Sequence, residues 1–321
     1  MSDTTYMPQV LVDLEARAGA SDTDRPAWLA ERRGGCTATE VRDLYIRAKS
    51  KAKLIATKTE QEAEKDLGAF IPRIRYGKER EPVIAEMLRG EGFVPESRVF
   101  HHPENTRHLA SPDGIRVDFD ENLEVLEIKT DEHGMKPGKT ADRDSEAFRA
   151  SGYRIQVNWV MYVLGARRCR IAIEECVRLA DGTFEPGEVH RYWIERDDDL
   201  IAELVTIADE FLAELDHMIE HGIDPVAVVL LEEAIASKKA ADAARIALEA
   251  YCASTGMSSL RIPEGSLSYS TPAPKKQFRE ALFKAAHPSL AEEFTETVPA
   301  AKPTLRVTPT REKKTETEEA S

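Results

Sequence analysis

Ser111-Pro112-Asp113-Gly114 is followed by Leu126-Glu127-Ile128-Lys129, with thirteen residues between Asp113 and Glu127. A Pro-Asp-Gly between β-prone segments is by itself an ordinary turn signal. Gly114 to Phe119 alternates in polarity, and Leu123 to Thr130 is apolar with charges embedded; both are expected as strands. Successive strand side chains face opposite ways, so Leu126 and Ile128 point one way and Glu127 and Lys129 the other. On a solvated face those two charges would be a plain ion pair. On a buried face they need a reason, because unpaired buried charge is costly. A hairpin from Asp113 to Glu127 brings two carboxylates to one end of the sheet, where they repel unless a cation lies between them. Hard oxygen ligands suit Mg²⁺ or Mn²⁺. A lysine beside them would orient or help deprotonate a water and stabilise charge on a scissile phosphate.

Working outward, Trp28 to Ala48 reads as helix, with Thr37-Ala38-Thr39-Glu40 as a capping box inside it. Residues 55–70 are expected to be at least partly helical. Gly77 to Leu88 is a further helix, in which Pro82 must sit in the first turn or bend the axis. Val99 to His102, Arg170 to Glu174 and Val189 to Glu195 read as strands. Tyr153 to Leu164 and Ala202 to Ile219 read as helices, Val226 to Tyr251 as a long alanine-rich helical stretch in one or two pieces, and Gln277 to Ala286 as one more helix. The expected organisation is an N-terminal arm (1–27), an α/β core with a central mixed sheet flanked by helices (28–222), a helical C-terminal extension of open role (223–300) and a disordered tail (301–321).

The net charge of −14 argues against nucleic acid for the chain as a whole. Local distribution matters more. Arg42, Arg47, Lys49, Lys51 and Lys53 stand against Asp43, and Arg73, Arg75, Lys78 and Arg80 against Glu79. These runs are either a basic groove on an acidic body or solvated helix faces. Four dispersed cysteines form no C-x-x-C pair, and His101, His102 and His108 form no ligand-spaced set, so zinc is not indicated. No phosphate-binding G-x-x-x-x-G-K-[ST] loop occurs, so no nucleotide cofactor is expected. Nor is there a membrane-spanning apolar run or a secretory leader, which reads as a cytoplasmic protein. Trp28, Trp159 and Trp193 are read as core.

Five blocks taken together resemble the lambda-exonuclease / YqaJ-type viral recombinase branch of the PD-(D/E)XK nuclease superfamily. They are Trp28 to Glu40, Tyr76 to Glu81, Ala110 to Gly114, Leu126 to Lys129 and Tyr153-Arg154-Ile155-Gln156-Val157. The resemblance implies a restriction-endonuclease-like α/β core and a Mg²⁺-dependent exonuclease (Mn²⁺ substituting) on linear double-stranded DNA. It implies 5′-to-3′ polarity, a ring trimer and a single-strand annealing partner, in phage-type recombination in a bacterial cytoplasm. Asp113, Glu127 and the main-chain carbonyl of Ile128 would hold the metal, Glu81 would reach a second ion, Lys129 would serve the attacking water, and Gln156 would orient water or Lys129. Arg32 with Thr39 would bind phosphate at the DNA end, joined by Lys78. A helix N-terminus next to such an arginine is physically suited to phosphate. The rival readings are a structure-specific endonuclease of the same superfamily and a non-catalytic DNA-end-binding scaffold.

Overall fold

Nine apolar residues on one side of a strand and its neighbours form a core in the N-terminal part of the chain. In the computed structural model, residues 7–59, 72–132, 142–262, 265–270 and 277–295 are described. The chain folds as two units, Met1–Val228 and Val229–Ser321.

The first unit begins with α1 (Gln9–Glu15) and β1 (Ala18–Ser21), followed by α2 (Arg25–Arg33), β2 (Cys36–Thr37), α3 (Ala38–Tyr45) and α4 (Lys51–Thr59). After α5 (Pro72–Leu88) come β3 (Val94–Pro95), β4 (Arg98–His101), β5 (His108–Ala110), β6 (Gly114–Val117) and β7 (Leu123–Asp131). Helices α6 (Glu146–Ser151) and α7 (Tyr153–Leu164) lead to β8 (Arg168–Arg178), β9 (Phe184–Glu195) and α8 (Asp198–Glu220). The second unit holds most of the 31-residue helix α9 (Pro225–Thr255), an antiparallel hairpin of β10 (Ser259–Ile262) and β11 (Gly265–Ser268), and the short helices α10 (Glu280–Ala286) and α11 (Pro288–Glu293). The disordered tail expected at 301–321, and residues 60–70 of the expected second helix, lie outside the described residues. Among the described residues no helix is long and apolar enough to cross a membrane.

Two sheets share the first unit. One has the order β1-β4-β5-β2, the other β3-β6-β7-β8-β9. The second sheet is mixed: β6–β7 and β8–β9 are antiparallel, whereas β7 and β8 run parallel because α6 and α7 carry the chain back. Helix α5 covers one face. Its Ile84, Ala85 and Leu88 pack with Phe93, Leu126, Ile128 and Ala172, flanked by Val189 and Trp193. Helix α7 covers the other face and also reaches β4 and β5, so it joins the two sheets. The first unit is therefore α/β, with a mixed sheet flanked by helices, and the C-terminal region is rich in helix.

Several expected elements have different bounds. The single helix expected over Trp28 to Ala48 is two helices broken by Gly34-Gly35 and a short strand. Cys36 and Thr37 pair in parallel with His108 and Leu109. A Cβ on Gly35 would sit 2.4 Å from the Arg107 carbonyl oxygen and 2.5 Å from Leu109 Cδ1, so only glycine lets the chain pass there. The α5 helix starts at Pro72, five residues before Gly77, so Pro82 lies inside it and removes one helical hydrogen bond. The piece over Val226 to Tyr251 is one continuous helix.

Trp159 is the largest fully buried side chain, and its indole N–H donates to the Leu109 carbonyl at 3.0 Å. It clamps α7 to β5, the strand that delivers Asp113. Trp159→Ala is expected to cost about 3–5 kcal/mol of unfolding free energy, read from the urea midpoint. A loss under about 1 kcal/mol would mean the clamp is not a packing element.

Candidate active site

The site lies where the chain leaves one sheet for the other. Strand β5 ends at Ala110 in the first sheet, and β6 starts at Gly114 in the second. Asp113 stands at the junction and is tied into the second sheet on both sides. Its N–H donates to the Leu126 carbonyl at 3.0 Å, and its carbonyl accepts from Glu96 N–H at 3.2 Å. Its Oδ2 accepts from the N–H of Ile128 at 2.5 Å. Register follows: Gly114 faces Leu126 and Ile115 faces Val125, so the aspartate arrives beside Glu127.

Glu127 is buried. Its Oε1 accepts from Gln156 Nε2 at 2.6 Å and from Lys129 Nζ. The same ammonium lies 3.2 Å from the Ile128 carbonyl oxygen. Oε2 of Glu127 is buried and has no hydrogen-bond partner among the described residues. Burial of the Asp113 carboxyl, followed by the field of Glu127, pushes its pKa well above the usual carboxylate range. Burial works against the Lys129 ammonium, but the fields of Glu127 and Asp113 outweigh it and hold the proton more tightly than usual. Glu81 on α5 is also raised, by burial first, with Lys129 opposing and Glu127 adding.

Two apposed carboxylates with an orphaned buried oxygen are a donor set for a hard cation. Among the described residues no three His, Cys, Asp or Glu side chains converge tightly enough to hold a metal ion. The Ile128 carbonyl oxygen shares the Lys129 ammonium with Glu127 Oε1. Asp113, Glu127, Lys129 and Gln156 come together directly, and Glu81 joins them on the wall of the same cleft, whose volume is about 720 Å³.

Arg32, Thr39 and Lys78 line that cleft too. Arg32 is not free-standing: its guanidinium stacks 3.8 Å from the Trp28 ring centroid, with Arg25 at 4.5 Å. Trp28 is half-buried and faces the cleft, which corrects the reading of all three tryptophans as core. The signal was present as helical spacing, because Arg25 and Arg32 lie three before and four after Trp28. Trp193 is likewise half-buried, with the Arg168 guanidinium 3.9 Å from its ring. At the start of α3, the Thr37 N–H and hydroxyl both donate to Glu40 Oε2, at 2.8 and 2.9 Å. The capping box forms as expected but consumes those groups, leaving Thr39 as the hydroxyl of that turn outside the box.

Much of the two basic runs is spent inside the protein. Arg80 pairs with buried Glu174, Lys51 with Glu210, and Arg42 and Lys49 with buried Asp43. The Arg80–Glu174 pair, with Tyr76 donating to the same carboxylate at 2.8 Å, fastens the turn of α5 that carries Glu81 onto β8. Of the two runs, only Lys78 lines the cleft, whose other lining cations are Arg25, Arg32 and Lys129.

Comparison with known proteins gives one family match: residues 27–167 match the YqaJ-like viral recombinase domain. No curated protein matches the chain. Among solved structures, the alkaline exonuclease LHK-Exo from Laribacter hongkongensis is 27% identical over 63% of this chain and 98% of its own, with a TM-score of 0.41. LHK-Exo in complex with dAMP is 26% identical with the same coverage and a TM-score of 0.44. A phage-related exonuclease from Haemophilus somnus 129PT is 14% identical over 57% of this chain and 83% of its own, with a TM-score of 0.39. The similarity to the YqaJ-like viral recombinase domain lies in residues 27–167, the stretch that holds all five of the sequence blocks from Trp28 to Val157.

Proposed function

We propose that this chain is a divalent-metal-dependent exonuclease that hydrolyses linear double-stranded DNA from its ends, 5′ to 3′, in phage-type homologous recombination. The observation that carries this reading is the partnerless buried Oε2 of Glu127 beside Asp113, in a cleft whose wall also presents cations. Asp113, Glu127 and the Ile128 carbonyl would hold Mg²⁺, with Mn²⁺ able to substitute, and Glu81 would approach a second ion. When bound, the metal would supply Lewis acidity to the scissile phosphate and the attacking water. Lys129, whose ammonium contacts Glu127 Oε1, would orient that water and stabilise charge gathering on the phosphate. Gln156 holds one oxygen of Glu127, which would keep the other available to the cation. Arg32, held over the Trp28 ring, would grip the terminal phosphate with Thr39 and Lys78. A ring of three copies and a single-strand annealing partner, in the cytoplasm of a bacterial host, complete the proposal. In a ring, DNA would meet the cleft cations while the acidic body faces outward.

The test is digestion of linear duplex labelled at both 3′ ends, with and without 5′ phosphates, beside a closed circle. In Mg²⁺ the linear form is expected to disappear progressively from its 5′ ends while the circle persists. Chelator should stop the reaction, and a 5′ phosphate should speed it. A circle lost as fast as the linear form would make the chain an endonuclease. Intact DNA in every metal tried would sink the hydrolytic reading and leave a DNA-end-binding scaffold.

A further inference from the structure

Gln156 has two chemically opposite ends. Its amide nitrogen donates to Glu127 Oε1 at 2.6 Å, and its amide oxygen accepts from Arg42 Nη1 at 3.2 Å. Arg42 lies 114 residues earlier in sequence, on α3. Its guanidinium is anchored on its other edge, where Nη2 and Nε donate to Asp43 Oδ1 at 2.7 and 3.1 Å. Asp43 is buried, and its second oxygen takes Lys49 Nζ at 3.0 Å. The path of the arginine stem crosses Gly152, just before α7. That residue has φ +71°, and a Cβ there would fall 2.7 Å from Arg42 Cγ. Glycine meets both demands at once.

An arginine offers only donors. Facing Gln156 it selects the amide oxygen, so the amide nitrogen must face Glu127. We propose that Arg42 is a positioning residue: acting through Gln156, it sets the orientation of the Glu127 carboxylate and so leaves Oε2 directed at the metal. This rests on the nuclease reading of the site. Arg42 is not among the residues lining the cleft, and its two edges are engaged by Asp43 and Gln156. It therefore acts on the carboxylate and not on DNA. The arrangement also links α3, which carries Thr39 at the cleft, to the carboxylate on β7.

The experiment is a double-mutant cycle of Arg42→Met and Gln156→Ala on 5′-phosphorylated linear duplex, with Mn²⁺ binding to DNA-free protein measured by calorimetry. Arg42→Met is expected to lower kcat by about 10-fold and to weaken Mn²⁺ binding by a similar factor. KM for DNA ends should stay within about twofold of wild type, since the change is not in ground-state binding. The double variant should be no worse than Gln156→Ala alone, because the two residues act in series. Arg42→Lys keeps a charge for Asp43 but cannot span both partners. It should show the same losses and serves as the probe if the methionine variant does not fold. Losses that multiply in the double variant, or a raised KM with unchanged kcat and Mn²⁺ binding, would overturn the proposal. If wild type cuts no DNA yet Arg42→Met still weakens Mn²⁺ binding in the non-multiplying pattern, the positioning role stands and the nuclease reading fails.

Discussion

Lys129→Ala is expected to slow hydrolysis of linear duplex DNA by about 10²–10³-fold while end binding stays nearly intact. The ammonium contacts Glu127 Oε1 and lies 3.2 Å from the Ile128 carbonyl, and in the proposed reading it would stand where charge on a scissile phosphate gathers. Arg32 and Lys78 remain on the cleft wall, where in the proposed reading they would hold the DNA end. A group aimed at developing charge lowers the barrier without tightening the ground state, so the loss should fall in kcat. Lys129→Arg should recover little, because a planar fork does not fit the point position between a carboxylate and a main-chain oxygen. Single-turnover cleavage in Mg²⁺ and gel-shift binding in Ca²⁺ separate the two effects. Near-wild-type cleavage by Lys129→Ala would remove this residue from the chemistry. A loss matched by equally weak binding would make it a DNA contact instead.

The second large effect is on stability. Asp113→Asn is expected to make the metal-free protein more resistant to heat and to remove its response to Mg²⁺. Wild type places the Asp113 carboxyl beside buried Glu127, with its pKa raised by burial and then by Glu127. A native pKa above the unfolded one means that ionising this group costs folding free energy. The penalty is absent below the unfolded carboxylate range, grows as pH rises toward the raised native value, and persists above it. Asparagine retains an oxygen for the Ile128 N–H and carries no charge. In the proposed reading, a cation between the carboxylates would offset the penalty in wild type. At a Mg²⁺ concentration about 100-fold above Kd, the gain is about 2.7 kcal/mol, or a rise in Tm of roughly 5–10 °C. Thermal melts of both proteins in chelator and in Mg²⁺, at neutral pH, test this directly. An equal Mg²⁺ response in Asp113→Asn would show that the ion stabilising the fold binds elsewhere.

Strand β7 illustrates what can be read locally. It carries two buried glutamates, Glu124 and Glu127. Alternation puts them on opposite faces, since they are three residues apart. It also puts Glu127 with Lys129 and assigns Leu126 and Ile128 to the core, where both in fact pack under α5. What alternation cannot supply is each carboxylate's counterion. Glu124 is neutralised by Arg116 and Arg168, whereas Glu127 faces Asp113 and retains an oxygen without a partner. Arg116 comes from the hairpin neighbour, but Arg168 arrives only because α7 returns the chain to pair β8 beside β7.

The sequence by itself determined the hairpin that joins Asp113 to Glu127, the capping box at Thr37 and Glu40, and the helix bearing Gln156. These depend on periods of two and 3.6 residues and on side chain-to-backbone bonds spanning three or four residues. Only the tertiary structure decided which cations face the cleft. Arg80 is drawn to Glu174 across 94 residues and Arg42 to Gln156 across 114, while Trp28 holds Arg32 at the cleft wall. It likewise decided that the helix expected over Trp28 to Ala48 breaks at Gly35, where the Arg107 carbonyl lies too close for a side chain. The physical reason is the same in each case: a charge is satisfied by whichever partner the packing of distant elements brings within about 3 Å, and no local pattern records which partner that will be.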